Sequence, residues 1–476
     1  MSLRFIYACR AKTRPVLAGV HTPAKALFVS CATSLGVALV LGSGLLFPRT
    51  DDGQDDGQRV AHEATRLNQR GLDHLHKKEY DQAIASFRQA LQVNPEYPDA
   101  LDNLGKALDA AGKDSEAIVE FDKAIKIAPE NAAAYADKGL ALYNQGKYEE
   151  AAASYRQAIE HHKDFSAAQN GLGASLLHLG KNEEAIAAFR SSIASNPKNA
   201  DALENLGSAL LEESKAAEAL PFLRKAHALR PDSPGALEAY GSALDQAGQT
   251  NEAISAYHKL TSKYPDQHAA WAHLGYLYYK SKRYDKAVSS LEKSLALKQD
   301  QPDVLVTLGL AQADQGKLGE AVQSYQKSLA LKPDEFHALY GLANAYYAQK
   351  DYAQAAAAYE KAYAQKPDDA GALVGLGASQ LAANRFEDAV RTYQKLVSMK
   401  PDDANVRFNF GAALFNSGNY QGAADSYREA VRLNPTLAHA HYNLGLALLR
   451  LNNARSAQAQ FAEAHRLDPS LNPPSK

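Results

Sequence analysis

The sequence predicts an all-α protein built from twelve stacked two-helix repeats of 34 residues, preceded by one membrane-spanning helix. Three observations predict this fold class: a strict 34-residue period, two helical stretches in each period, and an uncharged apolar run near the N-terminus. Of 476 residues, 46% are hydrophobic and 22% are charged, which is enough apolar material for a sizeable core. The formal net charge of −2 gives no basic field that would favour nucleic acid as a partner.

The period is carried by small and aromatic residues at fixed spacing. A glycine recurs every 34 residues, with Ala343 in its place once, and an alanine follows twelve residues after every one of them. Four residues further on, ten of the twelve repeats have an aromatic residue, and Leu223 and Leu291 are the exceptions. With the glycine at position 8 of each repeat, the array covers residues 64–471 without an insertion. The glycines are Gly71, Gly105, Gly139, Gly173, Gly207, Gly241, Gly275, Gly309, Gly377, Gly411 and Gly445.

Each repeat has the pattern of a helical hairpin. In eight repeats the first helical stretch ends near a glycine or asparagine, residue types that tolerate the left-handed conformation that closes a helix. A proline near the end of most repeats stops the second helix. The small residues at positions 8 and 20 predict that two helix backbones approach closely there, beside the aromatic residue. Because one hairpin cannot bury its own apolar faces, we expect neighbouring repeats to stack.

This pattern resembles the tetratricopeptide repeat family over residues 64–471. The matches include LGYLYYKSKRYDKA (residues 274–287, with Trp271 before it) and YNLGLALLRLNNARSA (residues 442–457). The resemblance implies an α-solenoid, a right-handed superhelix in which the first helices of the repeats line a concave groove. A C-terminal tail of five residues, 472–476, follows the array. In one interpretation the last helix caps the array itself; in the other, its exposed end docks a second copy to give a homo-oligomer.

The N-terminal region has a different composition. Residues 1–25 form a basic segment without acidic residues, and residues 26–47 are an uncharged run that could span about 33 Å as a helix, enough for a signal anchor. Residues 48–63 contain DDGQDDGQ, which predicts an acidic flexible linker. Five basic residues before the run and two after it predict a cytoplasmic N-terminus with the repeats outside the cytoplasm. A bacterial inner membrane facing the periplasm fits this topology, and a cleaved secretory or organelle leader is the alternative.

The sequence contains no pattern typical of an enzyme or a metal site. Both cysteines, Cys9 and Cys31, lie before the array, and no phosphate-binding loop, His-Glu-x-x-His or Gly-x-Ser-x-Gly motif occurs. Gly171-x-Gly173 and Gly375-x-Gly377 match a nucleotide fingerprint over three residues only, and we interpret them as packing glycines. We therefore predict a non-enzyme without a cofactor or metal.

The resemblance implies that positions 2, 5, 6, 9, 12 and 13 of each repeat face the groove. In repeats 1–6 these positions are rich in acidic residues, with Lys106 as the one basic residue; they are Asp99, Asp102, Asp109, Asp137, Asp201, Glu204, Glu212, Glu238 and Asp245. In repeats 7–12 they are rich in aromatic residues, namely Tyr276, Tyr279, Tyr340, Tyr347, Phe408, Phe415 and Tyr442. Asparagines at positions 6 and 9 complete the candidate ligand-binding residues, with Asn344, Asn409 and Asn443 in the second half.

This distribution predicts a protein or peptide ligand whose basic segment meets the first half of the groove and whose apolar anchors enter the second. The alternative is that the acids only solvate one face and that the inward rings pack on their neighbours. A carboxylate clamp for acidic tails, with lysine at position 5 and asparagine at position 9, is disfavoured because position 5 is never basic. The function predicted is a membrane-tethered scaffold, with assembly or secretion of envelope components as a role. A secreted or organelle adaptor and a regulatory subunit of an enzyme complex are the alternatives.

Overall fold

The computed structural model describes residues 52–474, and in this range it contains 24 α-helices and no strand. The first helices of the repeats are α1 (Asp52–His76), α3 (Pro98–Ala110), α5 (Ala132–Asn144), α7 (Ser166–His178), α9 (Ala200–Glu212), α11 (Pro234–Gln246), α13 (His268–Lys280), α15 (Pro302–Asp314), α17 (Phe336–Ala348), α19 (Ala370–Ala382), α21 (Ala404–Asn416) and α23 (Ala438–Arg450). The second helices are α2 (Tyr80–Val93), α4 (Asp114–Ile127), α6 (Tyr148–His161), α8 (Asn182–Ser195), α10 (Ala216–Leu229), α12 (Thr250–Lys263), α14 (Tyr284–Leu297), α16 (Leu318–Leu331), α18 (Tyr352–Gln365), α20 (Phe386–Met399), α22 (Tyr420–Leu433) and α24 (Ala454–Leu467).

The helix boundaries keep the period of the sequence. From α3 onward, every first helix occupies positions 1–13 and every second helix occupies positions 17–30 of its repeat. The one exception is α1, which begins at Asp52, so that helical backbone covers residues 52–63 of the segment predicted to be a linker. Once a helix is fixed by packing, each further turn adds hydrogen bonds without a new nucleation cost, and α1 extends in this way.

The turn between the two helices is the same in every repeat. Position 15 has a positive φ in all twelve repeats, in six as glycine and in the others as Asn384, Asn452, Lys78, Ser214, Lys282 and Lys350. In repeat 2, the Gly112 N–H donates to the Asp109 carbonyl at 2.8 Å and the Lys113 N–H donates to the Leu108 carbonyl at 2.9 Å. These bonds close the helix, and they hold lysine and serine in a conformation that the sequence analysis assigned to glycine and asparagine alone.

The core of each repeat is formed where its two helices approach each other closely. The residues at positions 8, 20 and 24 pack together there, as the sequence predicts. All twelve alanines at position 20 are fully buried. A Cβ added to Gly105 would lie 2.5 Å from Cε1 of the Phe121 ring, so the ring occupies the space that a side chain would need. Gly171 and Gly375 play the same part between repeats, because a Cβ on either would lie 2.3 Å from Cζ of the tyrosine at position 24 of the repeat before. Their interpretation as packing glycines is confirmed.

The described residues form two compact units, which we call the N-terminal unit (residues 52–260) and the C-terminal unit (residues 261–474). Within each unit, every first helix packs on its own second helix, and first helices of successive repeats also contact one another, as α3 and α5 do. The first helices therefore form the more closely spaced layer, which is the inner side of the stack in each unit.

The last repeat differs from the others on the surface where a further repeat would stack. Position 21 is apolar in the eleven preceding repeats, but in α24 it is Gln458, which is exposed. Position 28 is His465 in α24, also exposed, whereas Leu471 beyond the helix is buried. This polar surface fits the self-capping alternative of the sequence analysis.

Helices long and apolar enough to cross a membrane were not found within residues 52–474. The predicted basic segment 1–25 and signal anchor 26–47 lie outside the described residues, and both stay predictions.

Candidate ligand-binding groove

The inner surface of the first helices has a floor and a rim. Side chains at positions 5, 6, 9 and 12 are buried or half-buried in nearly all repeats, whereas those at position 13 are exposed in eleven of twelve. We use the word groove for this surface in each unit separately. All nineteen candidate residues lie on first helices, so the structure brings those of one unit onto one layer.

In repeats 2 and 3 the floor of the groove holds a lysine between two carboxylates. Lys106 Nζ lies 2.6 Å from Oδ2 of Asp102 and 3.1 Å from Oδ2 of Asp137. Burial alone would lower the pKa of Lys106, but the charges of Asp137 and Asp102 outweigh it and raise that pKa. Burial raises the pKa of Asp137 to about 6 even though Lys106 opposes the shift. The ammonium group therefore only partly compensates the buried carboxylates.

Asp109 lies one turn further along α3 and has no cationic neighbour among the described residues. Its Oδ1 accepts a weak hydrogen bond from Asn144 Nδ2 at 3.5 Å. Burial, followed by repulsion from Asp114, raises the pKa of Asp109. The neighbouring Tyr143, whose hydroxyl lies 2.9 Å from His178 Nε2, has its pKa raised to about 12 by burial.

The acids of repeat 5 are partly neutralised by a residue that the sequence analysis missed. Arg230 lies at position 31, in the turn after α10, and reaches back to the groove. Its Nη1 is 2.7 Å from Asp201 Oδ1 and its Nη2 is 3.1 Å from Glu204 Oε2. Burial still raises the pKa of Glu204 against the pull of Arg230. Asp245 is half-buried on α11. Position 31 is basic in five of the twelve repeats, a signal that the sequence analysis did not use.

The aromatic residues at position 5 of the C-terminal unit contact the core of their own repeats. The Tyr340 ring packs edge-on against the position-24 ring Tyr359 at 5.6 Å between centroids. Phe408 and Tyr442 contact the position-24 rings of repeats 11 and 12 at 5.7 and 5.4 Å. Each of these rings therefore has one face against the core and part of its surface toward the groove.

The aromatic residues at position 12 pair with an aromatic residue at position 17, the first residue of the second helix. Tyr347 contacts Tyr352 at 5.2 Å, and Phe415 contacts Tyr420 at 5.3 Å, both edge-on. Tyr279 contacts the position-17 ring of repeat 7 at 6.0 Å, and Tyr276 is half-buried beside it on α13. All seven candidate rings are thus half-buried, and the inward packing that the sequence analysis kept as an alternative describes part of their surface.

The candidate asparagines form hydrogen bonds within the floor. Asn344 Oδ1 accepts from the Tyr359 hydroxyl at 2.5 Å. Asn443 is half-buried on α23. Asn409 is half-buried on α21. In the N-terminal unit, asparagines at position 6 donate to asparagines at position 5 of the repeat before, from Asn103 to Asn68 at 3.1 Å and from Asn205 to Asn170 at 3.0 Å. These bonds are internal, so they fix the floor and use part of its polar capacity.

Between residues 52 and 474, His, Cys, Asp and Glu form no group of three or more that could hold a metal ion. The chemistry of the groove within each unit is therefore that of carboxylates, amides and aromatic rings. Such surfaces bind by charge, hydrogen bonding and apolar contact.

Family models of the tetratricopeptide repeat match nearly the whole array. They match residues 136–199, 179–234 and 306–370, residues 74–143, 210–274, 246–308 and 346–407, and residues 411–452 and 438–471. No curated protein matches this sequence.

Solved structures with similar folds include three repeat proteins. YrrB, described as having an unusual peptide-binding site, is 26% identical, with 39% of this chain and 95% of that chain covered and a TM-score of 0.37. PilF of Pseudomonas aeruginosa is 22% identical, with 43% and 94% covered and a TM-score of 0.41. Cut9 in the Cut9–Hcn1 hetero-tetramer is 15% identical, with 88% and 96% covered and a TM-score of 0.36. Since the TM-scores are below 0.5, nothing about binding is inferred from these similarities.

Proposed function

Because the chain belongs to the tetratricopeptide repeat family, we propose that it is a membrane-tethered scaffold that binds a protein or peptide in the groove of its repeats. The observation that carries the proposal is the row of half-buried rings at positions 5 and 12 of the C-terminal unit, each held by a second ring of its own repeat. Rings that are fixed from behind and open in front lose little side-chain entropy when a partner covers them.

The groove proposal is tested by comparing two triple variants. One removes three rings from the groove, and the other removes three apolar side chains from the second helices of the same unit. A triple variant with Tyr340→Ser, Tyr347→Ser and Phe415→Ser should lose the partners that the unmodified protein captures from extracts of its own source, quantified by mass spectrometry. The matched control replaces three exposed apolar residues on second helices of the same unit, Leu297, Leu331 and Met399, with serine. Partners retained by the groove variant, or lost equally from both, would contradict the proposal.

The control is informative because both triples remove three apolar side chains from the C-terminal unit. Leu297, Leu331 and Met399 are 46%, 44% and 37% exposed, so their removal changes the outer surface and leaves the core intact. Circular dichroism of both variants reports whether the helices are retained. A defect confined to the groove variant, with equal helicity, assigns binding to the first helices.

Tethering by residues 26–47, with the repeats outside the cytoplasm, is the second part of the proposal. Its support is the charge asymmetry and the length of the uncharged run. Alkaline phosphatase fused after Ser475 should be active and a fluorescent protein at the same place dark, with an intact N-terminus by sequencing. A bright fluorescent fusion would reverse the topology, and a chain that starts near Leu45 would replace the anchor by a cleaved leader. Assembly or secretion of envelope components is the role proposed for this topology.

A further inference from the structure

The floor of the groove in repeats 2 and 3 contains more negative than positive charge. Three carboxylates, those of Asp102, Asp109 and Asp137, lie on α3 and α5, and Lys106 is the cation that contacts two of them. Among the described residues, the third, Asp109, has Asn144 as its one hydrogen-bond donor, at 3.5 Å. The raised pKa values of Asp137 and Asp109 report the same deficit, because their charged forms are incompletely stabilised.

A second observation concerns a single oxygen atom. The side chain of Asp102 is only 9% exposed, and its Oδ1 has no hydrogen-bond partner among the described residues, while its Oδ2 receives the Lys106 ammonium. A buried carboxylate oxygen without a donor is costly, typically about 1–3 kcal/mol or more. This oxygen belongs to the carboxylate that holds the Lys106 ammonium, so the floor lacks a donor here that the described residues do not supply.

The chemistry of the missing group follows from the surroundings. The described residues offer no set of ligands for a metal ion. A guanidinium group is planar, has five donors and can serve two carboxylates at once, whereas an ammonium is a point charge. Lys106 is 37% exposed on a flexible stem, so its head group can move toward solvent when another cation arrives.

We propose that Asp102, Asp109 and Asp137 form a subsite for one arginine side chain of the partner, and that Lys106 occupies this subsite in the free protein. The inference rests on the proposed function and specifies where the basic part of the partner docks. The arginine would bridge the carboxylates that Lys106 bridges now, with Asp109 as the additional acceptor. The displaced ammonium would remain near the rim, where water solvates it.

The test uses a small probe and two pairs of matched variants. Fluorescein-labelled Gly-Ser-Gly-Arg-Gly-Ser-Gly is titrated into the full-length protein in non-ionic detergent, followed by anisotropy, and compared with the same peptide carrying neutral citrulline. The arginine peptide should bind at least about tenfold more tightly than the citrulline peptide. Lys106→Met should tighten arginine binding about tenfold, whereas Lys138→Met, which removes an equal charge from α5, should change it less than about twofold.

The second pair keeps the test decisive if Lys106→Met impairs folding. Asp109→Asn should weaken binding of the arginine peptide about tenfold, and Glu130→Gln, which removes one charge from an exposed turn of the same repeats, should have less than about a twofold effect. Equal binding of the arginine and citrulline peptides would overturn the proposal. Equal effects within either pair of variants would also overturn it, because they would indicate a diffuse charge effect.

Failure of this subsite and failure of the groove proposal are distinguishable. The arginine peptide does not depend on the C-terminal rings, and partner capture by the ring variants does not depend on the peptide. If the arginine peptide shows no preference but the ring variant still loses its partners, the subsite is wrong and the proposed function is retained. The opposite result would leave an arginine site without a ring-dependent groove.

Discussion

In the N-terminal unit the groove floor of repeats 2 and 3 carries carboxylates around one lysine, whereas the floor of repeats 9 and 11 in the C-terminal unit carries rings backed by other rings. The outer helices differ as well. In the N-terminal unit, arginines at position 25 contact glutamates at position 19 of the next repeat, from Arg88 to Glu116 at 3.4 Å and from Arg190 to Glu218 at 3.5 Å. Repeats 7 and 9 have Glu292 and Glu360 at position 25, where this pairing cannot form.

The cores of the two units nevertheless follow one rule. Position 20 is a fully buried alanine in both, and position 24 places a ring or leucine against the glycine at position 8. The positions that build the stack therefore differ from the positions proposed to bind a partner, although both belong to the same 34-residue repeat.

The equivalence of the cores predicts the largest effect. Tyr155→Ala and Tyr325→Ala each remove a buried ring that lies between two glycines, Gly139 and Gly171 in one case and Gly309 and Gly341 in the other. We expect each to cost about 3–5 kcal/mol of local stability, equal within about 1 kcal/mol. Hydrogen exchange read by mass spectrometry on peptides of the mutated repeat measures this. A clear difference in lost stability between the two variants would contradict the equivalence of the cores. Tyr→Phe at either site is the control, because it keeps the ring and removes only the hydroxyl.

A smaller effect is expected when a methyl group is added beside the ring. Gly105→Ala and Gly411→Ala would place a Cβ 2.5 Å from Phe121 and 2.7 Å from Tyr427, at a cost of about 1–3 kcal/mol each. Ala343 occupies the same position in repeat 9, so the neighbouring ring can shift and the cost stays limited. Thermal unfolding followed by circular dichroism measures it. Gly319→Ala, with open space around the added Cβ, should be neutral or stabilising, and a loss of stability there would contradict the steric explanation.

The acidic floor predicts a pH dependence of the stability of repeats 2 and 3 in the N-terminal unit. The pKa of Asp137 is raised from 3.8 to about 6, so the folded state binds a proton there that the unfolded state has released. Its contribution to stability is therefore greatest below about pH 4 and falls as the pH rises through about 6. In Asp137→Asn, the change in the local free energy of unfolding between about pH 4 and about pH 7 should be smaller by about 1–2 kcal/mol. Hydrogen exchange of α3 and α5 measures this change. Glu130→Gln should leave this change unaltered; an equal reduction in that control would refute the assignment.

The outer ion pairs predict the smallest effect. A double-mutant cycle with Arg190→Gln and Glu218→Gln should give a coupling energy below about 0.5 kcal/mol, because both side chains are more than half exposed. Denaturant unfolding at low and at high salt measures it, and the coupling should vanish at high salt. A coupling energy above about 1 kcal/mol would contradict this prediction. It would mean that these ion pairs stabilise the N-terminal unit measurably.

The sequence predicts the array well because small residues at positions 8 and 20 can have only one steric role in a stack of helices. It predicts the turns less completely, since Lys78 and Ser214 adopt a positive φ that is fixed by the two helices they join. The sequence analysis also missed Arg230, whose side chain reaches Asp201 and Glu204 from the turn after α10, because it considered positions of the first helices alone. The half-buried state of the groove rings depends on partners at positions 17 and 24, which become neighbours only when the hairpin closes.

The polar last helix has a consequence for assembly. A repeat array presents unlike surfaces at its two ends, and a contact between unlike surfaces does not close, so copies joined in this way would grow into a fibre. Gln458 stands where all eleven earlier repeats have an apolar residue at position 21, and His465 stands where nine of them have an apolar or aromatic residue at position 28. The surface on which a further copy would add is therefore more polar than the surfaces between repeats. If the self-capping alternative holds, this helix therefore also limits growth of such a fibre.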